Sequence, residues 1–300
     1  MTKKNHSCLG IMLLLITCSG LSCFALNIGE TFVVLENKYI PLFVSEGTEF
    51  EYEVGTHGTN CYDLDTVLPP GTFVKVLEEE KNNTVLAFCK VSENCSFRGF
   101  IHVKFFEHSM KTMDGLLFDS TAPSRNMLSF KEICQMLDSY INTDIPYSWG
   151  CNNLGEINLE GLYTFVCKNN NAQENAVYRC VGLDCSGILH KISSWILPHS
   201  TEQLYNFSKG KCLYELDDKT SDDKLYEVLK SMKDTDFVVC PREHVIVSLH
   251  GGFIEAKGYN YGIVYTETAH AMERLKNLIK EGTVRVIRWH PKLLFQDQQS

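Results

Sequence analysis

Three residues in the second half of the chain have the types and order needed for nucleophilic catalysis: Cys185, His244 and Glu255. Cys185 stands in "GLDCSG", and Cys180 lies five positions earlier in "YRCVGLDC". Two cysteines at this spacing admit three readings: a disulfide, a metal pair, or a structural thiol beside a nucleophile. A metal site needs thiolates and imidazoles converging at short spacing. The pair is too far apart for a C-x-x-C turn, which also disfavours a redox pair, so no metal and no cofactor are expected. Cys185 opens an apolar run with helical offsets, Ile188, Leu189, Ile192, Trp195 and Ile196, stopped by Pro198. Unpaired N–H groups and the positive end of the dipole gather at such a helix start. They favour the thiolate, the reactive form of cysteine.

A nucleophilic thiol needs a base, and the base needs an orienting group. His244 opens "HVIVSL", a strand of clear alternation in which His244, Ile246 and Ser248 point one way. If the hairpin turns around His250–Gly251, residue 255 lies opposite residue 246. Glu255 then shares the face of His244, one diagonal away and within reach of its ring. A three-residue turn would put Glu255 on the other face, so the assignment depends on register.

The elements that must hold these residues are legible as pattern. From the N-cap Ser129, "FKEICQMLDSYI" places Phe130, Ile133, Met136, Leu137 and Tyr140 on one helical face. A polar helix is expected over Ser221–Met232 and another over "ETAHAMERLKNLIKEG", ending at Gly282. "DFVVC", "HVIVSL", "FIEAKGY", "GIVYT" and "TVRVIRW" read as strands. Helices leading into antiparallel strands indicate an α+β domain over 126–295. Residues 27–108 read as β throughout, with turns at "HGTN", "PPG", "EKNN" and "SENC". Residues 109–125 lack a period and read as a linker.

Bulk properties narrow the partners. The chain has 300 residues and a formal net charge of −9. Lys3 and Lys4, the uncharged apolar stretch 9–20, and small residues leading to Ala25 have the layout of a secretory signal peptide, residues 1–25. Lipidation at Cys23 and an uncleaved anchor are the alternatives. Cleavage would remove two lysines and leave a net charge of about −11. No basic face for nucleic acid is expected from that balance. No other stretch approaches the roughly 20 apolar residues of a membrane helix, so the mature protein is expected to have no membrane span. Ten of the 13 cysteines lie beyond the signal. In an exported protein such cysteines usually pair, though the connectivity is not readable.

Four stretches, in order, carry a resemblance. "IPYSWG", "GLDCSG", "HVIVSLHGGFIEA" and the closing "VRVIRW" are similar to the motifs of the NlpC-type family of bacterial cell-wall cysteine peptidases. "LPHSTEQ" and "DTDFVVC" agree with lesser features of that pattern. The resemblance covers about 126–290 and implies a compact papain-like α+β fold. The order "LPPGTFVKVL", "AFCKV", "RGFIHVKFF" resembles the C-terminal half of bacterial SH3-like domains, a frequent companion, and implies a small β-barrel over 27–108. Carried over, Cys185 is the nucleophile, His244 the general base and then acid, and Glu255 the orienting group. The resemblance also implies that Tyr147 lines the cleft, and that Asp184 and Ser186 hold the free amine of the substrate's first residue. Asp184 is equally a good helix cap. The implied substrates are peptidoglycan stem peptides, cleaved after an N-terminal L-alanyl-γ-D-glutamyl unit. The implied location is the periplasm or cell envelope.

There are departures. Glu255 stands where the family usually has His, Cys151 replaces a glycine, and His199 replaces an arginine. The segment between "YSWG" and "DCSG" is long, and its Asn-rich part, between Cys167 and Cys180, reads as a disulfide-pinned lid or a plain surface insertion. His190 is expected at the surface. The rival reading is a non-catalytic cell-wall-binding protein on a degenerate peptidase fold. A further variant keeps the thiol chemistry but makes the protein a murein amidase or acyltransferase.

Overall fold

In the computed structural model, residues 26–155, 157, 159, 161–168, 181–207 and 212–290 are described. The signal-like segment 1–25, the centre of the Asn-rich insertion and Cys180 lie outside the described residues. The described chain mixes seven helices with three sheets, in keeping with an α+β chain. No described helix is long and apolar enough to cross a membrane.

The C-terminal sheet carries His244. Its order is Cys212–Leu216, Val284–Ile287, Phe237–Cys240, His244–Leu249, Gly252–Ala256 and Ile263–Thr266. Every neighbouring pair is antiparallel. Helices cover both faces, so the inner strands are buried almost throughout. On one face Val245, Val247 and Ile254 share a core with Ile133 and Leu137 of helix Phe130–Ile141 and with Ile188 and Ile192 of helix Cys185–Ile192. Burial of one such side chain contributes about 2 kcal/mol. On the other face Ile246 and Phe253 join Leu275 and Leu278 of helix Thr268–Glu281.

The helix starts follow local chemistry. Ser129 caps Phe130–Ile141 in a capping box with Glu132, and Ser221 caps Asp222–Ser231. Helix Cys185–Ile192 stops a turn before the end of its apolar period. Ser194 and Trp195 take left-handed φ values of 54° and 63°, so the periodic Trp195 and Ile196 lie outside the helix.

The N-terminal half departs from expectation. Seven strands form one antiparallel sheet, ordered Leu64–Leu68, Ile40–Phe43, Cys95–His102, Thr84–Ser92, Phe73–Val76, Thr31–Val34 and Met110–Thr112. This sheet stays open, and the small SH3-like barrel expected over 27–108 is not formed. The intervening strands Glu49–Gly55 and Gly58–Asn60 are drawn into a different sheet, where their neighbours come from far downstream. That sheet runs Asn152–Asn153, Gly182–Leu183, Tyr147–Ser148, Gly58–Asn60, Glu49–Gly55 and Thr164–Cys167. Residues 109–125 contain the strand Met110–Thr112 and the helix Gly115–Ser120. The described part of the insertion also belongs here. Tyr163 lies 4.7 Å from the Phe43 ring and shares its core with Ile157 and Leu159.

Tyr147 is therefore held between two parallel partners, Gly58 from the N-terminal half and Leu183, two residues before Cys185. A Cβ at Gly58 would fall on the Tyr147 backbone carbonyl. Gly58→Ala should force the two strands apart and cost about 2–3 kcal/mol of stability, read as a lower denaturant midpoint. An unchanged midpoint would show that this contact is not needed.

Candidate active site

Cys185 is the first residue of its helix, and Asp184 is the N-cap. The Asp184 carboxylate caps by local rule: its Oδ1 accepts the Gly187 N–H at 2.6 Å. The thiol of Cys185 is free and half-buried. The glycine two residues on has a steric reason, because a Cβ at Gly187 would fall on the backbone carbonyl of Cys151. Four other described thiols are held in the protonated, unreactive form at neutral pH. Burial pushes Cys61 and Cys240 up to about 11 and Cys95 up to about 12. Cys134 is raised to about 11 by burial and by Asp234 and Asp138.

The hairpin that carries the other two residues turns through His250 and Gly251, with φ values of 50° and 76°. Two successive positive φ values are those of a two-residue I′ turn, whose twist matches its strands. Val247 pairs with Ile254 and Leu249 with Gly252, the register expected for this turn. Glu255 consequently lies on the face of His244, and its Oε2 is 2.6 Å from His244 Nε2. That contact occupies Nε2, and the Cys185 side chain also interacts with the His244 ring. Glu255 is only 1% exposed. Arg274, from helix Thr268–Glu281, donates through Nε to Oε1 at 2.7 Å and through Nη2 to Oε2 at 2.6 Å.

Charge follows from these contacts. Burial works against the imidazolium, but the interactions of His244 with Cys185 and Glu255 outweigh it and raise its pKa to about 10. Burial likewise works against the Glu255 carboxylate, yet His244 and Arg274 hold it down to about 2. A raised imidazole adds stability that is full below its ordinary range and lost as pH rises through about 10. A depressed carboxyl adds stability that is full above its ordinary range and lost as pH falls through about 2. Between these limits the site holds a paired imidazolium and carboxylate.

The remaining expected residues converge on the same cleft, of about 290 Å3. Tyr147, Asp184 and Ser186 all line it. Tyr147 is buried, and burial together with Asp184 and Cys185 keeps its hydroxyl protonated. Asp184 is heavily engaged. Its Oδ1 also accepts from Ser186 Oγ at 3.0 Å and meets His199 Nε2 at 3.0 Å, while Oδ2 accepts the Gly150 N–H at 2.9 Å. Burial disfavours its charge, but these contacts win and hold the carboxyl below its usual range. Of its lone pairs, only those on Oδ2 have capacity left.

The sequence reading missed several residues of the cleft. His199 is buried and spans the two halves, with Nδ1 2.7 Å from Thr66 Oγ1. His190, expected at the surface, is fully buried: its Nδ1 meets the Leu197 carbonyl at 2.6 Å and its ring stacks on His199 at 5.2 Å. The N-terminal half covers this side of the helix, with Phe97 packed edge-on against the ring. Tyr62 and Asp65, also from the N-terminal half, line the cleft together with Cys185. Tyr62 pairs with Trp149 at the mouth, 5.5 Å between rings. Asp65 has no hydrogen-bond partner among the described residues, and burial raises its carboxyl pKa. No local signal marks Asp65, because its proximity to Cys185 depends on the packing of the two halves. The helical period could have flagged Arg274, a charge three residues past the buried Ala271 and one before the buried Leu275.

The fold and site thus describe an α+β chain in which a thiol at a cleft interacts with an imidazole paired to a buried carboxylate. No protein-family model and no curated protein matches it. Solved structures similar to it include that of NlpC1 from Trichomonas vaginalis, 11% identical, covering 80% of this chain and 73% of that one at a TM-score of 0.25. That likeness is weak, and the chemistry of the site rests on its own geometry.

Glu255→Gln tests the coupling. The neutral amide should return the His244 titration toward the ordinary imidazole range, read by histidine NMR. It should also leave the Arg274 charge without its partner, destabilising the fold by about 3 kcal/mol. A His244 titration that stays in place would refute the coupling.

Proposed function

We propose that this chain is a cysteine peptidase of the cell envelope, acting on peptidoglycan stem peptides through a Cys185 thioester. The observation that carries the reading is the gathering of Cys185, at a helix start, with His244 and Glu255 on one hairpin face beside a cleft. The Cys185 thiolate attacks the carbonyl carbon of the γ-D-glutamyl–diamino-acid amide. Backbone N–H groups at the helix start are placed to receive charge developing on the carbonyl oxygen. The His244 imidazolium gives its proton to the leaving amine as the C–N bond breaks. His244 then takes a proton from water, which displaces the thiol and releases the acid. Glu255 keeps the imidazole in the required orientation throughout.

The free amine of the substrate's first residue would meet carboxylates. Asp184 was the expected partner and has room on Oδ2 only, with Ser186 committed to it. Asp65 lines the same cleft, and among the described residues no hydrogen bond neutralises its side chain. An ammonium between the two would suit both. A papain-like catalytic half with a wall supplied by the N-terminal half fits this reading. The apolar stretch 9–20 supports export to the periplasm or envelope.

Purified protein should release L-Ala-γ-D-Glu from L-Ala-γ-D-Glu-diaminopimelate peptides, seen by mass spectrometry. Cys185→Ala should abolish release while leaving the fold intact. An identical product profile for that variant would overturn the nucleophile assignment. Acetylating the substrate's amine should lower kcat/KM by at least tenfold, about 1.4 kcal/mol, and so should Asp65→Asn. Undiminished cleavage in both cases would remove the amine-binding role.

A further inference from the structure

Orientation of an imidazole requires only a hydrogen-bond acceptor, yet Glu255 supplies a full buried charge. A lone buried carboxylate would grip the imidazolium and oppose delivery of its proton to a leaving amine. Arg274 answers that charge. Its guanidinium meets Glu255 as a two-point fork, Nε on Oε1 at 2.7 Å and Nη2 on Oε2 at 2.6 Å. His244 Nε2 reaches the same Oε2 at 2.6 Å. The fork fixes the plane of the carboxylate, as a lysine ammonium cannot. It also leaves Oε2 shared between two cations.

The helix does not need Arg274 to hold its place. Ala271, Leu275, Leu278 and Ile279 bury its apolar face against the sheet. The charged and titratable groups acting here are few: Cys185 and Glu255 on His244, His244 and Arg274 on Glu255, and Glu255 with the more distant Glu281 on Arg274. With Cys185 as thiolate, two negative and two positive charges alternate along the line.

We propose that Arg274 is a positioning residue of this site, setting the orientation and proton affinity of His244 through Glu255. The proposal rests on Cys185 and His244 acting as nucleophile and base. It extends the triad to a fourth member on a separate element, the helix Thr268–Glu281.

Alkylation of the full chain by iodoacetamide tests this without a substrate, with label at Cys185 counted by mass spectrometry across a pH series. In wild type, Cys185 should label much faster than Cys134 at neutral pH. Arg274→Gln should leave Glu255 to hold the imidazolium alone and move the Cys185 profile down by about one pH unit, so that labelling persists to lower pH. Arg274→Lys, which keeps the charge but loses the fork, should fall between. In a Glu255→Gln background, Arg274→Gln should add no further shift, because coupled residues are not additive. A folded Arg274→Gln with the wild-type profile would overturn the proposal, as would an undiminished effect in the Glu255→Gln background. If Arg274→Gln does not fold, Arg274→Lys and the double variant, which removes both buried charges, carry the same comparison. Fast wild-type labelling with an unmoved variant profile sinks the Arg274 role alone. Wild-type labelling no faster than Cys134 sinks the nucleophile reading, and this role with it.

Discussion

One buried carboxylate organises the centre of this molecule. Asp184 caps the helix that begins with Cys185, accepts the backbone N–H of Gly150, takes the hydroxyl of Ser186 and meets His199. His199 in turn reaches Thr66 on an N-terminal strand. The helix start, the "YSWG" turn and the N-terminal half are thereby tied at a single point. A buried charge is costly unless it is hydrogen-bonded on several sides. Asp184 meets that requirement only when all of these elements are in place, so the cleft and the junction between the two halves form together.

A second polar line runs through the C-terminal sheet. Cys185, His244, Glu255 and Arg274 come from a helix, two strands and another helix. Each depends on the next: the carboxylate without the guanidinium, or the imidazole without the carboxylate, would be a buried group short of a partner. The two lines differ in kind. The Asp184 knot is held by internal donors on both oxygens and fixes position. The His244 line ends at a half-buried thiol beside an open cleft, where a proton can be used.

The sequence was most informative where one element explains itself. Caps at Ser129, Asp184 and Ser221 and the alternation of "HVIVSL" each follow from interactions within a few residues, and the helices and strands appear there. The register that joins Glu255 to His244 was one of two that the sequence allowed, and the two-residue turn through His250 and Gly251 selects it. Prediction from pattern failed where a partner lay far away. Residues 49–60 read as part of the β region with a turn at "HGTN", but they form the strands Glu49–Gly55, which pairs with residues 164–167, and Gly58–Asn60, which pairs with residues 147–148. His190 looked like a surface residue because the layer covering it comes from the other half of the chain.

By itself, then, the sequence determined the α+β character, the cysteine at a helix start, and the histidine and glutamate on one hairpin. These are properties of periodicity, capping and turn geometry, and they act over short separations. Only the tertiary structure decided that the N-terminal sheet stays open, that Asp65 and Tyr62 line the cleft with Cys185, and that Arg274 pairs with Glu255. Those placements are set by packing between segments remote along the chain, where many pairings satisfy the local pattern and only burial of a common core selects one.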